Sequence, residues 1–181
     1  MQKLEDIIAQ KRKAKESVVS GEQGIHSSEA QSKRTPLIGI DVSSIAESEL
    51  PMWDKIISGI ADYGARTVVF VSALQVDNFH KNKKLIVQEK NGHDIYEPLD
   101  IIVLPSNKPI DEAFKNVAVP VTFVKENDTC DYDPIAEKGN GFYFSRKNKW
   151  EIFATVVRAI ETYKFPYDWK NLLREIYKSR N

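Results

Sequence analysis

From Thr35 onward the chain alternates short, almost wholly apolar runs with longer stretches whose apolar residues recur every three or four positions. The runs Pro36–Val42, Arg66–Val71, Lys84–Gln88, Leu99–Leu104, Val119–Val124 and Gly141–Phe144 are strand-length and rich in β-branched residues. Trp53, Ile56, Ile57, Ile60 and Tyr63 line one face of a helix, and Gly64 supplies its stop. Glu112–Val117 is a short helix at most. Trp150–Tyr163 is a clear helix with Ile152, Phe153, Val156, Val157 and Ile160 inward, and Trp169–Tyr177 is a last one. Strands that are apolar throughout are buried on both faces, and helices between them supply the cover. The expected fold is α/β: a single Rossmann-like domain with an open, mainly parallel sheet of about six strands and helices on both faces.

Residues 1–35 read differently. Leu4, Ile7 and Ile8 form a short helical stripe, the basic run Lys11-Arg12-Lys13 follows, and then a stretch rich in Ser, Gly and Gln. This predicts a flexible arm or linker over 1–35 and a domain over 36–181. The basic run reads as a solvated helix end in preference to an anion site.

Composition narrows the class. The chain has 181 residues, 41% hydrophobic and 29% charged, enough for one core of ordinary size. Lys plus Arg and Asp plus Glu each number 26, so no bulk attraction to nucleic acid or an anionic membrane is expected. A lone cysteine, Cys130, and the lack of a signal-like or membrane-length apolar run predict a cytoplasmic protein.

In a doubly wound sheet, ligands sit beyond the carboxyl ends of the strands. The loops to inspect are therefore 41–50, 72–77, 106–111 and 125–130. The first lacks Gly, Lys and Arg and carries Asp41, Glu47 and Glu49, an acidic edge that repels a diphosphate. Ser43 and Ser44 read as helix caps before donors to a ligand. His26, His80 and His93 have no partners at metal spacing, and Asp128, Asp131 and Asp133 read as turn chemistry. Trp53, Trp150 and Trp169 all lie on amphipathic helices, which favours core packing over sugar stacking.

Two stretches carry a family pattern. One is Ile95-Tyr96 through Asp100-Ile101 to Leu104-Pro105-Ser106. The other is Val119-Pro120-Val121, Asp128-Thr129, Asp131-Tyr132-Asp133-Pro134 and Gly139-Asn140-Gly141-Phe142. With Pro36-Leu37-Ile38-Gly39 as opening strand and the two closing helices, they resemble the C-terminal, nucleotide-sugar-binding domain of bacterial glycogen and plant starch synthases. These are retaining glycosyltransferases of the two-Rossmann-domain (GT-B) type. The resemblance runs from Pro36 to Tyr177 with gaps, and DYDP followed by GNGF is its most specific piece. It implies that ADP-glucose or UDP-glucose binds this domain, that a glucan acceptor binds a separate one, and that chemistry occurs between them.

The chain departs from that pattern where charge is handled. Ser44 stands where an arginine is expected and Glu49 where a lysine is expected, the two cations that hold the diphosphate. Lys108 precedes Pro109 in place of a glutamate, and the shortened segment leaves the family's second acidic residue without a counterpart. The glycine-rich donor loop reads Lys125-Glu126-Asn127, and a Gly-Ser-Gly element reads Val71-Ser72-Ala73. No acceptor domain or returning C-terminal segment is expected, since the chain ends at Asn181.

The expected function is a glycogen/starch synthase-like domain that is catalytically inactive alone, a pseudoenzyme or binding module. The alternatives are a donor-binding half using Lys108, Lys125 and Arg146 with a separate acceptor domain, and a truncated product whose fold outlasts its function. A ligand, if bound, is expected at Ser43, Ser44, Tyr96, Ser106, Lys108, Lys125, Asp128 and Thr129. No catalytic residue, metal or cofactor is expected. Expected partners are a weakly held nucleotide sugar or a glucan, and a protein or second copy covering the face where an acceptor domain docks in the family.

Overall fold

A computed structural model of the chain describes residues 3–20, 35–75, 79, 85–90, 95–105, 110–123 and 130–180. The strands are β1 (Leu37–Asp41), β2 (Arg66–Val71), β3 (Leu85–Glu89), β4 (Ile101–Leu104), β5 (Val119–Phe123) and β6 (Phe142–Phe144). They form one sheet in the order β3-β2-β1-β4-β5-β6, with every pairing parallel. The helices are α1 (Leu4–Ser20), α2 (Leu50–Asp62), α3 (Ile110–Lys115), α4 (Lys149–Tyr163) and α5 (Pro166–Lys178).

The apolar runs become doubly buried strands for the reason their composition suggests. On β1, β2 and β4, alternate residues enter two separate cores. Ile38, Ile40, Val69, Val71, Ile101 and Val103 pack under α2, α4 and α5, while Leu37, Val68, Phe70, Ile102 and Leu104 pack under Tyr96, Leu99 and Ala113. Gly39 keeps the centre of β1 thin. A Cβ there would stand 2.9 Å from the Phe70 ring and 3.0 Å from Ile102. Gly64, at φ +94, ends the turn after α2 as expected.

Two expectations change. Trp150 is 71% exposed at the start of α4, whereas Trp53 is buried and Trp169 half-buried. The inward stripe of α4 begins at Ile152, which turns position 150 outward. Of the basic run, Arg12 and Lys13 are exposed as expected, but Lys11 is buried because α1 docks on the domain. Ile7 is buried, and the stripe of Leu4, Ile7 and Ile8 continues through Lys11, Lys15 and Val18 at helical spacing. Two of these positions are lysines whose stems lie against the fold while their heads find oxygens. Lys11 Nζ donates to the carbonyls of Asn116 (2.8 Å) and Val117 (3.1 Å). Lys15 forms an ion pair with Asp100, which also accepts from the Leu37 amide at 2.7 Å. Helix α1 therefore lies across the amino ends of β5, β4 and β1. Val117 has φ +50, a costly conformation for a β-branched residue, and presents its carbonyl to Lys11 from that turn.

Candidate functional site

The connection order reverses between β1 and β4, which makes their carboxyl ends the switch point where open sheets bind ligands. The last residue of β1 is Asp41, which is 4% exposed. A buried carboxylate must be compensated, and four donors compensate this one. Oδ2 accepts from Lys90 Nζ and from the Tyr96 hydroxyl, each at 2.6 Å. Oδ1 accepts from the Ser43 hydroxyl at 2.6 Å and the Ser43 amide at 3.2 Å. A carboxylate offers about four acceptor sites, and all are taken.

The sheet holds these partners in place. The Lys90 amide continues the ladder past β3 by donating to Val71 O at 2.9 Å. Tyr96 is fully buried, with its ring edge against Phe70 at 5.9 Å between centroids. Lys90 Nζ lies 5.8 Å from the Tyr96 ring centroid. Burial pushes the Asp41 carboxyl up, but the hydrogen bonds from Lys90, Ser43 and Tyr96 outweigh it, so it titrates below its ordinary value. Burial and the hydrogen bond to Asp41 push the Tyr96 hydroxyl up, keeping it a neutral donor. The cluster is a closed ion pair buttressed by two hydroxyls. The Asp41 carboxylate has no spare acceptor position.

Three of the sequence-derived site residues fall among the described ones. Ser43 and Tyr96 meet on Asp41. Ser44 is exposed in the turn after β1. Neither serine caps a helix: the extended residue before the short 3-10 turn Glu47–Glu49 is Ala46, and Ser43 turns back to Asp41. Ser106, Lys108, Lys125, Asp128 and Thr129 lie outside the described residues. Sequence reasoning missed Lys90 and read Asp41 as a free negative charge. The available signal was a lone Asp closing an apolar strand, which requires a buried partner.

Further along the carboxyl edge, Glu49, Trp53, Pro105, Phe144, Lys147 and Ile152 surround a cleft of about 10 Å³. That is room for one water at most. Arg146 is exposed, and its amide donates to Glu151 at 3.2 Å.

The DYDP and GNGF segments prove to be one interlocked turn. Asp131 bridges to Gly141 and Asp133 to Lys138. Asn140 Oδ1 accepts from the Cys130 amide at 2.9 Å and the Tyr143 hydroxyl at 2.8 Å. Asp133 accepts from the Ile135 amide at 2.8 Å, and Asp131 pairs with Arg158. Gly139 has φ +115, and a Cβ there would lie 2.5 Å from backbone atoms of Asp131 and Tyr132. These residues hold the backbone, whatever else they do.

No family model and no curated protein matches the sequence. Solved structures do match in shape. The catalytic domain of starch synthase IV from Arabidopsis thaliana, bound to ADP and acarbose, superposes with a TM-score of 0.67 at 16% identity over 96% of this chain. The fold is that of part of a starch synthase catalytic domain. S. aureus MnaA with UDP gives 0.53 at 11% identity over 86% of the chain. S. aureus TarM with fondaparinux, alpha-GlcNAc-glycerol and UDP gives 0.51 at 9% identity over 81%. The chain spans 39%, 45% and 34% of those three chains, respectively. The likeness supports the expected fold and the structural part of the family resemblance. Among the described residues, no helix is long and apolar enough to cross a membrane, and no cluster suited to a metal ion occurs.

Proposed function

We propose that residues 36–181 form a glycosyltransferase-type domain that does not transfer glucose by itself and serves as a cytoplasmic binding module. The carrying observation is the closed Asp41 cluster. A departing nucleoside diphosphate needs cations that are not already spent on the protein. Among the described residues of the carboxyl edge Lys90 is committed to Asp41, and in the narrow cleft Glu49 offsets the charge of Lys147. Losing even one stabilising donor commonly costs about 3–4 kcal/mol of transition-state stabilisation. The retained turn at Asp131–Phe142 is accounted for by backbone geometry alone, so its presence does not argue for activity.

One observation favours a second reading, a donor-binding half that works with a separate acceptor domain. The Lys90 side chain is 31% exposed, so it is partly open to solvent while holding Asp41. Nucleotide-bound neighbours make ADP-glucose and UDP-glucose the ligands to try. Incubation of the protein with each radiolabelled sugar nucleotide and a malto-oligosaccharide separates the two readings. The first expects neither transfer nor hydrolysis. Glucosyl transfer, alone or on adding a synthase acceptor domain, establishes the second.

A further inference from the structure

Helix α1, the turn at Glu97, the end of α3 and the C-terminal end of the chain enclose a cavity of about 140 Å³ beyond the amino ends of the strands. Lys11, Lys115 and Arg180 line it, with Gln10, Asn116 and Glu97. Lys11 is the unusual member. It is 9% exposed, yet its two hydrogen bonds go to neutral carbonyls. Buried cations are normally matched by anions. The nearby carboxylates are engaged elsewhere: Asp100 holds Lys15 and the Leu37 amide, and Glu97 accepts from Gln10 Nε2 at 2.5 Å. An ammonium has three donors, and two of those on Lys11 are used. Arg180 stacks on the Tyr177 ring at 5.5 Å and makes no hydrogen bond to a described side chain. Lys115 likewise has no partner among the described residues.

We propose that this cavity binds a phosphate group, either free inorganic phosphate or the phosphate of a small monoester. Three cations against one carboxylate leave a surplus of two positive charges, which a phosphate dianion neutralises. The anion takes the third Lys11 donor and meets the Arg180 fork and Lys115 at the cavity mouth. The volume is below that of ordinary ligand pockets, about 300 Å³ and upward, so the occupant is a phosphate with little attached. Because Lys11 and Gln10 belong to α1 while the other lining groups belong to the domain, the ligand also fastens α1 to the sheet. This site lies at the opposite edge of the sheet from the Asp41 cluster and stands or falls independently of the function proposed above.

The test titrates the full chain with sodium phosphate and with glycerol phosphate, against sodium chloride at equal ionic strength, by calorimetry and by thermal unfolding. One saturable site in the millimolar range or tighter is expected, with a rise in Tm beyond that in chloride. The double variant Lys115→Gln, Arg180→Gln changes only exposed or half-buried groups and should keep the wild-type Tm in chloride. It should lose at least about tenfold in phosphate affinity. Binding of both probes identifies a monoester site, and binding of phosphate alone identifies a free-phosphate site; either supports the proposal. No saturable binding, or equal binding by wild type and double variant, overturns it. If the double variant unfolds, Arg180→Lys replaces it, with weakened phosphate binding expected and unchanged affinity contradicting the site.

Discussion

The two edges of the sheet treat buried charge in opposite ways. At the carboxyl edge, Asp41 is surrounded by a cation and two hydroxyls, with every acceptor position filled. At the amino edge, Lys11 is also buried but rests on two peptide carbonyls. Closure at the first edge leaves the Asp41 carboxylate with no acceptor to offer a ligand. Incomplete compensation at the second leaves an attractive field in a cavity. The position of a site in a fold is therefore no guide to its use until the charges there have been matched one by one.

The contrast can be broken by substitution. Asp41→Ala strands the buried Tyr96 hydroxyl and uncouples Lys90. Removing one member of a buried pair costs about 3–5 kcal/mol, and the partial exposure of Lys90 puts the expected loss near the low end, about 3 kcal/mol by urea denaturation. A loss of less than about 1 kcal/mol would mean the cluster is not a structural lock.

A pH series sharpens the same contrast. Burial pushes the Lys11 ammonium down to about 8, opposed by Asp100 and Glu97 and assisted by Lys15. The unfolded chain keeps that proton up to about pH 10.4, so between the two values it binds more protons than the folded chain. Stability of wild type relative to Lys11→Met should therefore rise from pH 8 upward, by up to about 3 kcal/mol. Asp41 acts in the same sense but in the acid range. Its folded value is depressed, so its contribution is full above the ordinary carboxylate range and fades as pH falls through the folded value. Guanidinium melts of the wild type and both variants across pH separate the two contributions.

Smaller effects follow from single hydrogen bonds. Tyr96→Phe keeps the packing on Phe70 and removes one donor to Asp41, for an expected loss of about 1–2 kcal/mol. Lys11→Met at neutral pH exchanges a poorly matched charge for an apolar side chain of similar reach. Its expected effect on stability is within about 1 kcal/mol of zero, measured by the same denaturation. A loss as large as that of Asp41→Ala would show that Lys11 is fully compensated after all.

The fold was legible because its signals are local. Runs such as Leu37–Asp41 and Ile101–Leu104 are apolar on both faces, and the periodicity of Trp53–Ile60 belongs to no other element. The candidate site was only half legible. Ser43 and Tyr96 were found from loop position and resemblance, but the residue joining them was not. Asp41 was counted as a charge, and its meaning depends on Lys90, which arrives 49 residues later along the chain. Helix α1 was underread for a related reason. Lys11 and Lys15 interrupt an apolar stripe in composition while continuing it in space through their stems. Trp150 erred in the other direction, since an amphipathic helix does not say on which side its first turn begins.

The central claim concerns the carboxyl edge, and calorimetric titration of the full chain with ADP, ADP-glucose and UDP-glucose addresses it most directly. The account predicts no saturable heat with any of the three tighter than about 1 mM, or −4 kcal/mol. A clear isotherm in the micromolar range, weakened by Lys90→Met, would show that the Asp41 ion pair opens to hold a diphosphate and would contradict it.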